Sequence, residues 1–279
     1  MAIRDCLAII DATAGGDHVI RFAEQLALQR DVYVSGLVLG WRPAVPAITE
    51  AWLVEGRIEQ MIQDIGATLE TDADTVRKRF ERELGESRVE KLFVTLDGAS
   101  RQIALRARHV DISIVSQARS AAQDAPNVVI EACLFESGRP MIVVPPLWKT
   151  CQIGQTILVA WKPTREAARA LADAGPLITS AERVVVATVD ANPSEDGYGE
   201  TPGADICAHL ARGGAKVELV NIASAGRSPA QAIEEHALII GADLVVMGGY
   251  GRSRLRELVF GGMTREMLNT SKLPTLMAH

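Results

Sequence analysis

Runs of apolar residues alternate with amphipathic stretches along the whole chain. Apolar runs of about four to eight residues predict buried strands, and longer stretches with an apolar residue every three or four positions predict helices. A strand–helix–strand unit followed by a strand–helix–strand–helix–strand unit occurs twice. Because the apolar runs contain few polar residues, they predict parallel sheets covered by helices on both faces, which is an α/β fold.

The first repeat begins with a short strand and an Ala-rich helix and ends with a strand that contains proline. Its middle is a long stretch that predicts one or two long helices. In chain order, the predicted elements are a strand at 6–10, a helix at 19–29, a strand at 32–39, the helical stretch at 48–86, a strand at 91–96, a helix from Ser100, a strand after Asp111, a final helix and a strand at 139–144.

The second repeat has the same order and a shorter middle. Its predicted elements are a strand at 156–160, a helix at 165–178, a strand at 183–189, a helix at 204–212, a strand at 217–222, a helix from Ser228, a strand after Asp243, a final helix and a strand at 273–277. Pro145 and Pro146 interrupt regular structure between the repeats. The sequence therefore predicts one domain at residues 1–146 and a second at residues 152–279.

Two local features of the second repeat carry further predictions. Ser228, Pro229 and Gln231 have the spacing of a capping box with proline at the first helical position, and Gly241 is placed to end that helix in a left-handed turn. Residues 192–203 are rich in Gly, Pro and acidic residues, which predicts either a solvated connector or a lid over the neighbouring cleft.

The composition argues against some partners and locations. The chain has 279 residues, a net charge of −6 and 4% aromatic residues, whereas general nucleic-acid binders need a basic face or aromatic stacking platforms. No apolar run approaches the roughly 18 residues of a membrane span, and the first residues lack the layout of a secretory signal. We therefore expect a cytoplasmic protein that binds neither nucleic acid nor membrane.

The spacing of the cysteines also favours a cytoplasmic protein. Cys6, Cys133, Cys151 and Cys207 form no Cys-x-x-Cys pair and have no zinc-ligand spacing with a histidine. Dispersed single cysteines in a chain of this length are typical of buried thiols in a reducing compartment. We expect no metal site.

A glycine-rich stretch near the C-terminus carries most of the functional information. The apolar strand after Asp243 runs into Gly248-Gly249-Tyr250-Gly251, and a second glycine pair, Gly261-Gly262, opens the last helix. Backbone amides without side-chain cover, at a strand end and at a helix start, are the parts of a phosphate cradle. The alternative is that these glycines only allow tight turns and close contacts between helix and sheet.

Three strand ends of the second repeat are expected to meet at this cradle. Ligands of parallel α/β sheets bind beyond the carboxyl ends of the strands, near the switch point in strand order. Residues 160–163 follow the first strand, Val189 and Asp190 end the second, and residues 248–251 follow the fourth. The sequence therefore places one candidate site at these three ends.

The spacing Gly-x-x-Gly, nine residues, then Gly, between an apolar strand and a final helix, resembles the universal stress protein family. The resemblance covers both repeats and is strong in the second. It implies two Rossmann-like or flavodoxin-like domains, each with a five-stranded, mainly parallel sheet, and an adenine nucleotide such as ATP in the second. The residues implied to line that site are Ala160, Trp161, Lys162, Val189 (through its backbone, at the adenine), Met247, Gly248, Tyr250, Gly251, Arg252, Gly261, Gly262, Met263 and Thr264.

The chain departs from the family pattern at two positions. Nucleotide-binding members have Ser or Thr directly after the last motif glycine, where this chain has Gly262, and the nearest hydroxyl is that of Thr264. The family commonly has Asp after the first strand, where this chain has Lys162. A lysine repels a metal ion and can meet phosphate directly. This suggests metal-independent phosphate binding assisted by Lys162 and Arg252, unless these are solvated surface charges.

The first repeat has no comparable cradle. Aligning Asp111 with Asp243 puts Ser116 at the place of Gly248 and Arg119 at the place of Gly251, and the later glycines fall near Asn127 and Val128. Side chains then occupy the space that phosphate needs, so we predict a structural role through sheet edges and helix faces. The terminal strand at 273–279 is expected at a sheet edge, where it pairs either the two halves or two chains.

No catalytic motif stands out. The histidines are scattered, and Asp190, Glu195 and Asp196 either solvate a loop or act together in the cleft. Three functions fit the sequence: a nucleotide-binding protein of stress response or signalling, a nucleotide-free scaffold whose halves pair and recruit a protein partner, and a slow nucleotide hydrolase. The first, without catalysis, agrees best with the glycine motif.

Overall fold

The computed structural model describes residues 2–13, 16–43, 55–85, 87–118, 124–149, 152–193, 200–249 and 262–279, with side chains from residue 60 onward in the helix that begins at Glu55. All described strands belong to one sheet, in the order β3-β2-β1-β4-β5-β10-β9-β6-β7-β8. The strands are β1 Asp5–Asp11, β2 Tyr33–Trp41, β3 Val89–Val94, β4 Ile112–Ser116, β5 Met141–Val144, β6 Thr156–Ala160, β7 Arg183–Val189, β8 Val217–Ile222, β9 Leu244–Gly248 and β10 Thr275–Ala278.

Helices connect the parallel strands in both halves. They are α1 Asp17–Arg30, α2 Glu55–Leu84, α3 Leu96–Ala107, α4 Asp124–Glu131, α5 Arg165–Asp173, α6 Gly175–Ser180, α7 Ala204–Arg212, α8 Pro229–Ile239 and α9 Gly262–Thr270. A π-helical segment, Ala132–Glu136, continues α4. The α/β class predicted from the uninterrupted apolar runs is confirmed.

The sheet separates two buried apolar layers, each of which runs through both halves. In β1, Cys6, Ala8 and Ile10 belong to one layer, whereas Leu7 and Ile9 belong to the other. This alternation follows from the two-residue period of a strand. Since both layers are closed by helices, the strands are apolar throughout, which explains the pattern read from the sequence.

The two halves join edge to edge within the chain. β10 pairs with β5 antiparallel, with Thr275 opposite Val143 and Met277 opposite Met141, and it pairs with β9 in parallel. The terminal strand was expected to pair either two halves or two chains; in this structure it pairs the two halves. It therefore lies in the middle of a continuous sheet.

Helix boundaries differ from the prediction at two places. The helix expected from Ser100 begins at Leu96, after Thr95, whose carbonyl accepts the N–H of Gly98 at 3.1 Å. The single helix expected at 165–178 is two helices, because Pro176 has no N–H to continue the ladder of α5. Ala174 lies between the two helices. Its N–H donates to the carbonyl of Ala170 in α5 at 2.9 Å, and its carbonyl accepts the N–H of Leu177 in α6 at 2.9 Å.

Other local predictions are confirmed. The stretch at 48–86 contains one helix of 30 residues, α2. Ser228 caps α8, with both hydrogen bonds of the capping box to Gln231 formed. Gly241 has φ = 69°, a left-handed conformation in which side chains are strained. No helix within the described ranges is both long and apolar enough to cross a bilayer.

The repeat includes a carboxylate that ties each fourth strand to the first. Asp111 accepts the N–H groups of Arg4 and Asp5 at 2.8 and 3.1 Å. Asp243 accepts those of Gly154 and Gln155 at 2.7 and 2.9 Å, and it makes a longer bond of 3.4 Å to the next amide along. Burial raises the pKa of Asp243 above its ordinary value, although these amides favour the carboxylate.

Replacing Asp243 is expected to destabilise the fold more than replacing its counterpart Asp111. Asp243→Ala leaves buried amides without an acceptor, which costs about 2–3 kcal/mol, whereas the more accessible amides near Asp111 regain water and cost about 1 kcal/mol. Urea denaturation of both variants measures the difference. Equal losses of unfolding free energy would contradict the buried role of Asp243.

Candidate functional site

Three strand ends of the second half meet at one place, as predicted. β6 lies between β7 and β9 and pairs in parallel with both. The connections leaving β6 and β9 thus start on either side of a switch point, where α/β sheets form a crevice. Ala160, Val189 and Gly248 are the last residues of these three strands.

The residues at these ends differ in accessibility. Met247 and Ala160 are buried in the apolar layer, whereas Val189 and Trp161 are half-buried and Lys162 is exposed. The N–H of Trp161 donates to the carbonyl of Ala187 at 2.8 Å, so the chain leaves β6 in a fixed direction. This places the flexible ammonium of Lys162 at the solvent side of the strand ends.

The backbone of Val189 points toward β6. Asp190 donates its N–H to the carbonyl of Ile222 in β8 at 3.0 Å. Alternate residues of a parallel strand bond to opposite neighbours, so the N–H and C=O of Val189 face β6. The paired part of β6 ends at Ala160, opposite Ala187, two residues before Val189. The amide groups of Val189 thus extend past the ladder.

The turn after Val189 is held by side chains from β8 and the loop after it. The side-chain amide of Asn221 donates to the carbonyl of Ala191 at 3.1 Å and accepts its N–H at 3.3 Å. Asp190 has φ = 47°, and its carboxylate accepts the N–H of Ser224 at 2.9 Å. Hydrogen bonds from the side chain and the backbone of Ser224 hold the pKa of Asp190 below its ordinary value. A cavity of about 410 Å³ lies against this turn.

Gly248 is required by packing. A Cβ on this residue would lie 2.5 Å from the backbone nitrogen of Ala167 and 2.7 Å from the carbonyl carbon of Glu166. Both atoms belong to the first turn of α5, which Thr164 caps by accepting the N–H of Ala167 at 3.3 Å. The first motif glycine therefore lets α5 approach the sheet, as the packing interpretation of the motif expected.

Gly249 contacts the first half. A Cβ here would lie 3.0 Å from both terminal methyl groups of Leu134, in the π-helical segment. The carbonyl of Gly249 lies 3.0 Å from Nδ1 of His279, and the His279 ring packs edge-to-face on Phe135 with centroids 5.0 Å apart. Gly249 thus packs against Leu134 of the first half.

Within the described ranges, no atom crowds the first residue of α9. Gly262, its first residue, is exposed, and a Cβ there would meet no atom of the described chain within 4 Å. Met263 is half-buried and Thr264 is buried. The helix connects the carboxyl end of β9 to the start of β10, so this terminus lies on the same side of the sheet as the three strand ends.

Several residues of the proposed site lie outside the described ranges. They are Tyr250, Gly251, Arg252 and Gly261, together with the loop carboxylates Glu195 and Asp196. The structure therefore places the strand ends and the start of α9 on the same side of the sheet, and their contacts with the residues outside the described ranges stay predictions.

Sequence reasoning missed Glu166, which lies beside Gly248 in the first turn of α5. Its side chain is buried and pairs with the exposed Arg165. Burial raises its pKa, but hydrogen bonds from Arg165 and neighbouring groups outweigh this and hold the pKa below the ordinary value. Its position in the first turn of a Thr-capped helix was the available signal, because acidic residues favour helix N-termini.

The first half retains an acidic residue where the second half has a lysine. Cys6 and Ile157 take equivalent places, because each pairs with the first residue of the neighbouring strand, β4 or β9. Five residues further on, Asp11 therefore corresponds to Lys162. The Asp11 carboxylate accepts the indole N–H of Trp41 at 2.7 Å and both donors of Thr13 at 2.7 and 2.8 Å.

Side chains also occupy the place of the glycine turn in the first half. Ser116, at the position of Gly248, bonds to Nε2 of His18 at 2.9 Å. Asn127 and Val128 lie inside α4, which begins at Asp124, so no helix starts where Gly262 does in the second half. Arg119 lies outside the described ranges. In the described part of this half, side chains thus lie where the second half has its first motif glycine, and the lack of a phosphate cradle stays a prediction.

Comparison with known proteins supports a single family. Residues 154–279 match the model of the universal stress protein family. A 49-residue segment, 18% of this chain, is 39% identical to the stress response protein NhaX of Bacillus subtilis (strain 168) and spans 30% of that relative's length.

Two solved structures resemble the whole chain. A universal stress protein from Archaeoglobus fulgidus DSM 4304 has a TM-score of 0.69 at 14% identity, with 98% of this chain and 95% of that chain covered. A putative universal stress protein from Pseudomonas aeruginosa UCBPP-PA14 has a TM-score of 0.56 at 17% identity, with 99% and 93% covered. At such identities the likeness concerns the fold alone. The C-terminal half of this chain therefore belongs to the universal stress protein family, and the whole chain has the fold of these solved proteins.

Proposed function

We propose that the second half binds an adenine nucleotide at the ends of β6, β7 and β9, and that the chain acts in stress response or signalling rather than in catalysis. The observation that carries this proposal is the open N-terminus of α9, which starts at the exposed Gly262 on the side of the sheet where the three strands end. The N–H groups of a helix's first turn and the helix dipole favour an anion at such a terminus, the dipole by about 0.3–2 kcal/mol.

The phosphates are assigned to α9 and Lys162. An exposed lysine at the end of β6 brings a flexible positive charge to phosphate without a metal ion. We therefore propose that binding needs no metal.

The base is assigned to the backbone of Val189. Its N–H and C=O extend past the last pair of β6, so they can meet a donor–acceptor edge such as that of adenine. Asn221 and Ser224 hold the following turn, which fixes these two groups before a ligand arrives. Such preorganisation reduces the entropy lost on binding.

A binding role fits the described carboxylates better than hydrolysis does. Asp190 is a candidate to activate water, but its carboxylate already accepts a hydrogen bond from the backbone N–H of Ser224, and its lowered pKa disfavours proton uptake. A general base needs a pKa near the working pH. Nucleotide turnover is therefore expected to be negligible.

A nucleotide-free scaffold is the second candidate. Gly248 is accounted for by contact with α5, and Lys162 replaces the Asp that the family pattern has, so two features of the motif do not require a ligand. Native mass spectrometry of the purified protein separates the two functions. We expect an adenine nucleotide bound after ATP is added and excess ligand removed; a protein that stays ligand-free at millimolar ATP would favour the scaffold.

Lys162→Ala is expected to weaken ATP binding about three- to tenfold, with and without magnesium, because it removes a charge that meets phosphate directly. Isothermal titration calorimetry measures the affinity. Lys216→Ala removes another exposed lysine, at the start of β8, and controls for net charge. An unchanged affinity in Lys162→Ala under both conditions would exclude this role.

Gly262→Ser is expected to strengthen ATP binding about two- to twelvefold, since it adds one hydroxyl donor at the open helix start. A Cβ at this position meets no atom of the part of the chain that the structure describes, so the free energy of unfolding should change little. Gly262→Ala adds the Cβ without the hydroxyl and is the matched control. If Ser and Ala bind ATP equally well, the hydroxyl does not reach the ligand.

A further inference from the structure

Two contacts connect the first half to the elements that form the proposed site. Gln117 follows β4 and is buried, and its side-chain amide donates to the carbonyl of Ser271 at 2.9 Å, with a longer contact of 3.5 Å to that of Met267. Met267 lies in the last turn of α9, and Ser271 directly follows the helix, which ends at Thr270. Leu134 of the π-helical segment lies directly behind Gly249.

Gln117 makes its hydrogen bonds at the C-terminal end of α9, whereas the proposed ligand lies at the N-terminal end. The last carbonyls of a helix have no intrahelical donor, and a buried one without a partner costs about 1–3 kcal/mol. The carbonyl of Met267 also accepts the N–H of Ser271 at 3.2 Å. Nine residues of helix separate the two ends, about 13 Å. The first turn of α9, by contrast, is open at Gly262.

The backbone of Gln117 is itself fixed to the junction between the halves. Its N–H donates to the carbonyl of Val144, the last residue of β5, at 3.0 Å. β5 is the strand that pairs with β10. One residue therefore joins the edge of the first half to the C-terminal end of α9.

We propose that the first half positions the nucleotide site of the second half, with Gln117 as the positioning residue that sets α9. This inference rests on the proposed nucleotide binding and names the regulation of that site. In the first half, Ser116 and His18 fill the position that the cradle takes in the second half. The first half therefore acts as a brace, which here means a support that holds α9 and Gly249 in place through Gln117 and Leu134. Because coupling between sites is reciprocal, bound ATP must in turn stabilise the junction between the halves.

The chain offers a matched control. Gln29 also makes a hydrogen bond between the halves, accepting the N–H of Ile153 at 3.2 Å, and this partner lies before β6 rather than in α9. Gln117→Ala and Gln29→Ala therefore each remove a glutamine contact across the junction, and they differ in whether α9 loses its donor. Gln117→Leu fills the space without restoring the donor, which separates loss of the hydrogen bond from a cavity.

The experiment measures ATP affinity by calorimetry and amide exchange by mass spectrometry in the full chain, with urea denaturation to compare stability. We expect Gln117→Ala and Gln117→Leu to bind ATP about three- to tenfold more weakly, and Gln29→Ala to bind within twofold of the wild type. In the wild type, ATP should slow exchange in β5 and in the π-helical segment. That effect should be lost in both Gln117 variants and kept in Gln29→Ala.

The outcomes distinguish the two proposals. A wild-type chain that binds no ATP overturns the proposed function together with this inference. A wild type that binds ATP while the Gln117 variants bind equally well overturns the inference alone. If a Gln117 variant fails to fold, Leu134→Ala tests the same brace behind Gly249, and an unchanged ATP affinity and unchanged exchange response in that variant overturn it.

Discussion

The antiparallel pairing of β5 with β10 is the interaction on which the rest of the structure depends. It turns two five-stranded sheets into one, and it lets both buried layers continue from one half into the other. The strands on either side of this pair carry helices whose C-terminal ends contact the opposite half, α9 through Gln117 and the π-helical segment through Leu134. Without the pairing, these contacts would lose their geometry, and the open N-terminus of α9 would lose its support.

Much of the fold could be read from the sequence, because its signals are local. Uninterrupted apolar runs define strands buried on both faces, and the capping box at Ser228 and the glycine at 241 mark helix ends through backbone chemistry alone. The start of α3 was wrong because Ser100 was taken as the first residue, although Thr95 and Asp97 are ordinary signals of a helix start. The break after Asp173 was missed because the helical periodicity continued past Pro176. Which edges pair depends on contacts far apart in sequence, so the pairing of β10 was left open.

The site was harder to read, because the same glycine can serve packing or binding. Gly248 is glycine because the backbone of α5 occupies the space of a Cβ, and a Cβ on Gly249 would press on the methyl groups of Leu134. Of the motif glycines in the described ranges, Gly262 alone has no atom within 4 Å of a Cβ. Sequence spacing shows that side chains are absent but not what takes their place. Glu166 and Gln117 were missed for a related reason. Their importance comes from burial and from partners on other elements, and neither is visible in a single stretch of sequence.

The two halves differ in how each treats the same place in the repeat. In the first half, hydrogen bonds close the strand ends, between Asp11 and Trp41 and between Ser116 and His18. In the second half, Lys162 stands at the position of Asp11 and Gly248 at that of Ser116. The central position of β10 has a further consequence for synthesis. Every other described strand emerges from the ribosome before β10. Each half can therefore begin to collapse alone, and during that time the edges of β5 and β9 have no strand paired with them on the side that β10 later occupies. Assembly of the continuous sheet is a late, long-range step, and such exposed edges are where chaperones and aggregation compete with folding.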